Sequence, residues 1–253
     1  MSRKRRTVAD EPFLLVRTST ADLGAGGVVA SHVHDWHQLV HVRSGLMTVR
    51  TDAGSWIAPP TWAIWVPAGT DHAIRFTGAS ALRTCYVRPD WDVAVPSECT
   101  ALAVSSLLRE LIARATTVGM LDRRVPAEAA IAALIVEELG EPGPPPFTLP
   151  EPTSTITSTA ARLILDDATE AAGTATLARA VGVGVRTLER RFRAETGMTL
   201  GRWRQQGMLL RGLEQVAGGA SIKTASASAG YSSPSAYIAA FKKAFGATPA
   251  RYF

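Results

Sequence analysis

Two places in this sequence hold residues whose types and spacing could do chemistry. The first holds all five histidines: His32, His34, His37, His41 and His72. His32 and His34 are two apart, which puts both side chains on one face of an extended strand. Gln38 follows, and His72 comes after the turn-forming Pro67-Ala68-Gly69. Histidines brought together in space can hold a divalent transition metal, hydrogen-bond one another, or line a pocket that holds no metal. His37 and His41 alternate away from Gln38, and surface or structural roles are expected for them.

The second place is Thr176 to Gly197. Here Arg186, Glu189, Arg190 and Arg193 fall at i, i+3, i+4 and i+7, one charged stripe of a helix with Thr187 at its edge. Val185, Leu188 and Phe192 form an apolar stripe. Arginine can donate two hydrogen bonds to guanine, so such a helix suits the DNA major groove. A solvated amphipathic helix in an all-α domain would show the same stripe.

The elements that must position these residues can also be read. Leu177, Ala178 and Val181 have the spacing of a short helix, and Gly182-Val183-Gly184 breaks it. Two helices with a tight glycine turn make a helix-turn-helix. The pattern then recurs. Gly182 returns 48 residues later as Gly230, while Leu188, Phe192 and Gly197 return 49 later as Tyr237, Phe241 and Gly246. GMTLGRW from Gly197 is echoed by GATPARY from Gly246. Period-matched landmarks of this kind mark two copies of one supersecondary unit. The pair resembles the tandem helix-turn-helix DNA-binding domain of the AraC/XylS family of bacterial transcription regulators, over about the last 95 residues.

In the first third, short β-prone runs (13–18, 38–42, 46–51, 63–66 and 81–87) alternate with Gly/Pro turns, as in a small barrel or jelly roll. His32, His34 and the PAGTDH run ending at His72 resemble the two motifs of the cupin family, with Gln38 where that family keeps an acid. The resemblance implies that His32, His34, Gln38 and His72 converge inside a barrel, as effector ligands or around a divalent transition metal. A neutral amide is a poorer ligand for a divalent cation than a carboxylate. Trp36, Trp56, Trp62 and Trp65 surround the same motifs; most are expected in the core, with one or two at the pocket.

From Ala101 the periodicity turns helical: Leu107, Leu108, Leu111 and Ile112, then Ala129, Ala130, Ala133 and Leu134 after Pro126. These helices could pack on the barrel or form a homodimer seam. Glu141 to Pro152 holds six prolines in twelve residues, too many for a helix, and reads as a linker. A helix is expected to follow, capped near Ser158 and running over Arg162 to Glu170. The organisation expected is therefore α+β in two domains. Residues 1–140 form a cupin-like β-barrel with following helices, 141–157 a proline-rich linker, and 158–253 an all-α tandem helix-turn-helix.

Charge follows the same division. Residues 176–253 carry 12 Lys/Arg and 3 Asp/Glu, whereas 1–175 carry 15 and 19. A basic C-terminal module on an acidic body suits a nucleic-acid partner. The start, Met1-Ser2-Arg3-Lys4-Arg5-Arg6, is a basic arm with no hydrophobic segment behind it. No run approaches the length of a membrane helix and no signal-peptide pattern appears, so no membrane partner and a cytoplasmic location are expected. Cys85 and Cys99 lack metal spacing and read as core thiols rather than a redox pair.

The reading that follows is a one-component transcription regulator, not an enzyme, whose cupin-like domain senses an unidentified small molecule. Double-stranded DNA would meet Arg186, Thr187, Glu189, Arg190 and Arg193 of the first unit. In the second it would meet Ser233, Ser235, Lys242 and Lys243, where the counterpart of Arg190 is Ala239. That second unit should hold the backbone and read few bases. RNA polymerase would be a partner of an activator. The alternatives are a metal-dependent cupin enzyme with a DNA-binding tail, and a constitutive DNA-binding protein whose barrel only dimerises.

Overall fold

A computed structural model describes residues 8–52, 54–140, 149–166 and 173–251. The basic arm at the start, most of the proline-rich stretch and Glu170 lie outside the described residues. The chain divides into two compact units, the described part of one being residues 8–140 and of the other 149–251.

Among the described residues the first unit has ten strands and two α-helices. The strands are β1 (Leu14–Leu23), β2 (Val28–His32), β3 (His37–Val42), β4 (Leu46–Thr51), β5 (Gly54–Ala58), β6 (Trp62–Val66), β7 (His72–Thr77), β8 (Ser80–Val87), β9 (Thr100–Ala103) and β10 (Met120–Asp122). The helices are α1 (Ser106–Val118) and α2 (Pro126–Glu137). Six strands form one sheet in the order β10-β1-β8-β3-β6-β9, and four form another in the order β2-β7-β4-β5. This corrects the expected barrel. Among the described strands no ladder joins one sheet to the other, and the edges β9 and β10 are too short to carry a second partner along their length.

Alternation along β3 explains the layering. Val40 and Val42 face Met47, Val49, Ile74 and Phe76 between the sheets. Leu39 faces the other way, with Trp65, Cys85 and Val87, onto Leu108, Ile112, Ala115 and Ile135 of the two helices. A central sheet covered on both faces needs strands apolar on both faces, and β3 is buried from Gln38 to Val42. Thr100–Ala103 is a strand pairing with β6, so the helical pattern begins at Ser106, not Ala101. The buried stripe of α2 is also shifted: Ala132, Ile135 and Val136 are inside, while Ala130, Ala133 and Leu134 are exposed. The stretch is apolar nearly all round, so composition alone does not select its inner face. Leu107 and Leu134 remain about half exposed, at 48% and 45%.

The second unit is all helical: α3 (Thr155–Asp166), α4 (Thr174–Ala180), α5 (Val185–Thr196), α6 (Leu200–Ala217), α7 (Ile222–Ser228) and α8 (Pro234–Phe245). The repeat is explicit. α4 and α7 are both 7 residues long, α5 and α8 both 12. Gly197 and Gly246 end the longer helices in the left-handed conformation, at φ 69° and 77°, where glycine alone carries no Cβ penalty. α6 joins the copies and buries Leu200, Trp203, Leu209, Leu210 and Leu213. Val185, read as part of the apolar stripe, is exposed in the first turn of α5; Leu188, Phe192 and Thr196 form the buried face.

α3 begins at Thr155, three residues before the expected cap. Ser158 lies inside it and donates its hydroxyl to Pro152 O at 2.6 Å. The earlier start follows from Glu195 of α5, whose carboxylate takes the N–H groups of Thr153 and Ser154, both at 2.9 Å. The Trp203 indole also donates to Pro150 O at 2.8 Å. The end of the proline-rich stretch is thus packed into this unit.

Candidate functional site

The first site is built where the two sheets meet the His34–Trp36 turn. His32 closes β2 and His72 opens β7, and the two are paired in register. His34 is beyond the strand end, so the expected shared strand face does not hold. The rings come together nonetheless, with centroids 4.3 Å apart for His32–His72, 4.9 Å for His34–His72 and 5.7 Å for His32–His34. One ring nitrogen from each lies within 4.8 Å of the others, a grouping that could hold a metal ion.

Proton bookkeeping fixes how the rings present themselves. Each Nδ1 faces a backbone carbonyl: Ala30 O at 2.9 Å, Trp36 O at 2.5 Å and Thr70 O at 3.0 Å. A carbonyl only accepts, so each Nδ1 carries a proton, and a neutral ring so oriented offers its lone pair at Nε2. Metal-binding histidines are oriented by such outer hydrogen bonds. Burial pushes His72 down to about 4, with repulsion from His32 and His34 adding to it and the Thr70 carbonyl opposing it. It is neutral at physiological pH.

Gln38 completes the cluster from β3. Its Oε1 lies 2.8 Å from His34 Nε2 and 2.9 Å from His72 Nε2. The amide NH₂ donates to the Thr84 and Tyr86 hydroxyl oxygens, at 3.1 and 3.3 Å. Thr84 gives its own proton to Leu39 O at 3.0 Å, so toward Gln38 its oxygen only accepts. The four residues expected to converge are therefore brought together. The amide oxygen, so placed, would add an oxygen ligand to three imidazole nitrogens.

The other histidines are structural. His37 stacks on Trp65 and accepts from Ala68 N–H at 3.0 Å, while buried His41 donates to Pro60 O at 2.9 Å. Burial lowers both. Trp36, Trp56 and Trp65 are core residues. Cys85 and Cys99 are pushed up to about 12 by burial, which keeps both thiols protonated and inert.

The second site is the exposed face of the helix-turn-helix pair. On α5, Arg186, Glu189, Arg190 and Arg193 are exposed, and Thr187 is half-buried. Arg191, which the stripe did not include, is exposed as well. On α8, Ser235, Ala239, Lys242 and Lys243 are exposed. Ser233 is the N-cap of α8, its hydroxyl oxygen accepting from Ala236 N–H at 3.2 Å.

Glu195 is the residue that sequence reasoning missed. Its carboxylate accepts from Ser154 N–H, from the Thr157 hydroxyl at 2.6 Å, from the Ser154 hydroxyl at 2.8 Å and from Thr153 N–H. Burial works against the charge, but these donors outweigh it and hold the carboxyl at about 2. Its partners lie about forty residues earlier in the chain, so no local spacing could have marked it.

Comparison with known proteins matches each of the two units to a known domain. Residues 177–253 match the family model for a helix-turn-helix domain, and residues 25–142 match that for an AraC-like ligand binding domain. The chain is 28% identical over 221 residues to the HTH-type transcriptional regulator NimR of Escherichia coli K12, covering 87% of this chain and 81% of that protein. Among solved structures it is similar to ToxT from Vibrio cholerae, with 10% identity, coverage of 94% and 97% and a TM-score of 0.39. A DNA-binding transcriptional dual regulator from Escherichia coli K-12 is 23% identical, with coverage of 40% and 90% and a TM-score of 0.36. With a ligand-binding domain followed by a DNA-binding tandem helix-turn-helix, the chain belongs to the AraC family of transcription regulators.

Proposed function

We propose that a molecule or metal ion held by His32, His34, Gln38 and His72 is the signal, and that it changes how the helix-turn-helix pair holds double-stranded DNA. The observation that carries this reading is the convergence of three oriented imidazoles and an amide within the ligand-binding domain. The donor set suits a borderline ion such as Zn²⁺ or Ni²⁺, which would supply a fixed charge and an open position for a ligand. On DNA, Arg186 and Arg190 read bases while Arg193, Lys242 and Lys243 hold phosphates. Glu189, Thr187 and Ser235 adjust the fit. Ser233 caps its helix and has a hydroxyl proton to offer a phosphate.

The domain limits are 1–140 and 158–253 around a linker, amended so that a folding C-terminal fragment begins before Leu149. A homodimer through the exposed sides of α1 and α2, where Leu107 and Leu134 lie, fits the same scheme. So does contact with RNA polymerase when the effect is activation, in a protein that works in the cytoplasm and catalyses no reaction. The signal must act through different affinities for two arrangements, because a ligand that binds both equally shifts neither.

The test is a gel shift on DNA flanking the gene, with Zn²⁺, Ni²⁺ and a metabolite panel. His34→Ala and His72→Ala should leave operator binding intact and abolish the response. A normal response in both variants would move the signal site elsewhere. Elemental analysis of protein purified without chelator separates the two forms of the idea. Metal at well under about a tenth of an equivalent would end the metal form and leave the bare pocket.

A further inference from the structure

What holds α5 in place bears on what it can read. Its inner face packs Leu188 and Phe192 into an apolar cluster with Ile164, Leu177 and Trp203. Apolar attraction has no direction, so it sets the depth of a helix better than its tilt. Glu195, in the last turn of α5, adds contacts that do have direction. Its carboxylate accepts from the Thr153 and Ser154 N–H groups, both at 2.9 Å, from the Ser154 hydroxyl at 2.8 Å and from the Thr157 hydroxyl at 2.6 Å. Hydrogen bonds to a charged group are about twice as strong as neutral ones.

The segment that Glu195 grips is itself fixed. Pro150 O accepts from Trp203 Nε1–H of α6 at 2.8 Å, Pro152 is buried, and Leu149 packs against the same apolar cluster. Each proline locks its φ at about −65°, so the segment is stiff before it reaches Glu195. The Trp203 ring closes the circuit, standing edge-on to Phe192 with centroids 5.3 Å apart. Phe192 and Glu195 lie three residues apart, on one turn of α5. That turn is therefore joined to α6 twice, once through Trp203 directly and once through residues 149–154. Arg186 and Arg190 project from the same helix, and a tilt of α5 moves their ends. Side chains that make specific contacts must be held to within about 0.5 Å by the groups behind them.

We propose that residues 149–154 are a strap that sets the pose of α5 on DNA, with Glu195 and Trp203 as positioning residues for base reading by Arg186 and Arg190. This rests on the reading of α5 as the base-reading helix. Both residues act through α5 and not through contacts of their own with DNA. The position on α8 that matches Glu195 is Ala244, so by this route a shift of the strap reaches the first unit alone.

The test uses the full chain and two duplexes, one selected by the wild-type protein from a random-sequence pool and a scrambled version of it. The ratio of the two affinities is measured by competition, well below the melting temperature of every variant. Glu195→Gln removes the charge and one acceptor oxygen, while Trp203→Phe keeps a ring and removes the N–H. Each should cut the ratio about fivefold or more, the lower end of what one base contact contributes. Affinity for the scrambled duplex and its salt dependence should stay as they are, because phosphate contacts carry no sequence information. Gly212→Ala, a packing change where α6 meets α8, separates positioning from stability: it should destabilise the unit by a comparable amount and leave the ratio unchanged. An unchanged ratio in either strap variant, an equal loss on both duplexes, or an equal fall in Gly212→Ala would each overturn the proposal. Arg186→Ala and Arg190→Ala in the same panel keep the two readings apart. If they lose the preference and the strap variants do not, the strap proposal fails alone. If both arginine variants keep it, the base-reading assignment fails and the strap proposal with it.

Discussion

The two helix-turn-helix units share a frame and differ in what they put on it. Both have a 7-residue helix, a glycine turn and a 12-residue helix ended by a left-handed glycine. The outer face of α5 carries Arg186, Arg190, Arg191 and Arg193, whereas that of α8 carries Ser235, Ala236 and Ala239 before Lys242. The buried sides differ too. α5 packs Leu188 and Phe192 against Leu177, Ala160, Ile164 and Trp203. α8 packs a run of rings: Tyr237 with Tyr231 and Phe241, and Phe241 with Phe245. Packing geometry restrains the inside of each copy, while DNA acts only on the outside, so one copy could become a reader and the other a clamp without loss of the frame.

The largest effect expected from this comparison lies in the packing. A Cβ built on Gly212 of α6 would stand 2.6 Å from Tyr237 Cε2 and from its hydroxyl oxygen. The ring cannot easily withdraw, since its hydroxyl donates to Leu209 O at 3.1 Å. Gly212→Ala should cost about 1–3 kcal/mol, as overpacking does, and hydrogen exchange should place the loss in α7 and α8. At Gly207 the nearest atom is the flexible Leu165 Cδ2 at 3.0 Å, so Gly207→Ala should cost less than half as much. Equal losses in urea unfolding would mean that the close contact of α6 and α8 is not special.

Next in size is base reading. Arg190→Ala or Arg186→Ala should cost about 1–3 kcal/mol on the specific site and relax preference at one base pair each. Ala239→Ser, at the matching place on α8, should change neither. A loss of discrimination from Ala239→Ser equal to that from Arg190→Ala, measured by competition with mutated operators, would contradict the division into reader and clamp.

A third difference is how each longer helix is held. Glu195 ties α5 to the start of α3, but 49 residues on the same position is Ala244, exposed on α8. The carboxyl is held at about 2 in the folded chain against 4.5 for an unperturbed glutamate. Its folded value is below its unfolded value, so its contribution is complete above about 4.5 and is lost as pH falls from there through about 2. Allowing for its partial exposure, Glu195→Gln should cost about 1–2 kcal/mol near neutral pH and less as the solution is acidified. Denaturant midpoints of the two proteins that stay equally far apart at every pH would show that the carboxylate charge is not what holds α5.

Much of the molecule is legible in the sequence because it repeats or is spaced by a rule. The 48- and 49-residue offsets locate both helix-turn-helix units, including the extra residue in the second turn. His32, His34, Gln38 and His72 are legible as a group through the likeness of their spacing to two known motifs. Five strands escape sequence reading, and β1 comes out too short. β2, β7 and β9 have mixed composition and gain their ladders from partners far along the chain, so local propensity says little about them. The inner face of α2 is hidden because alanines surround it. Glu195 and the Trp203 bond to Pro150 are out of reach, since both are defined by what lies near them in space and not in sequence.

The smallest predicted effect concerns Lys242. It stands in the last turn of α8, exposed, with Ala239 and Ala244 rather than base readers beside it. A lone ammonium there would meet a phosphate as a point charge, and a phosphate contact carries no sequence information. Lys242→Ala should therefore weaken specific and non-specific DNA by the same factor, and flatten the dependence of log K on log salt by about one unit. The same lysine also favours the C-terminal end of its helix, worth about 0.3–1 kcal/mol, so the melting temperature of the free variant must be followed alongside. Loss of binding at all salt concentrations with no change of slope would trace the effect to the helix end. A changed order of preference among operator variants would instead make the second unit a reader.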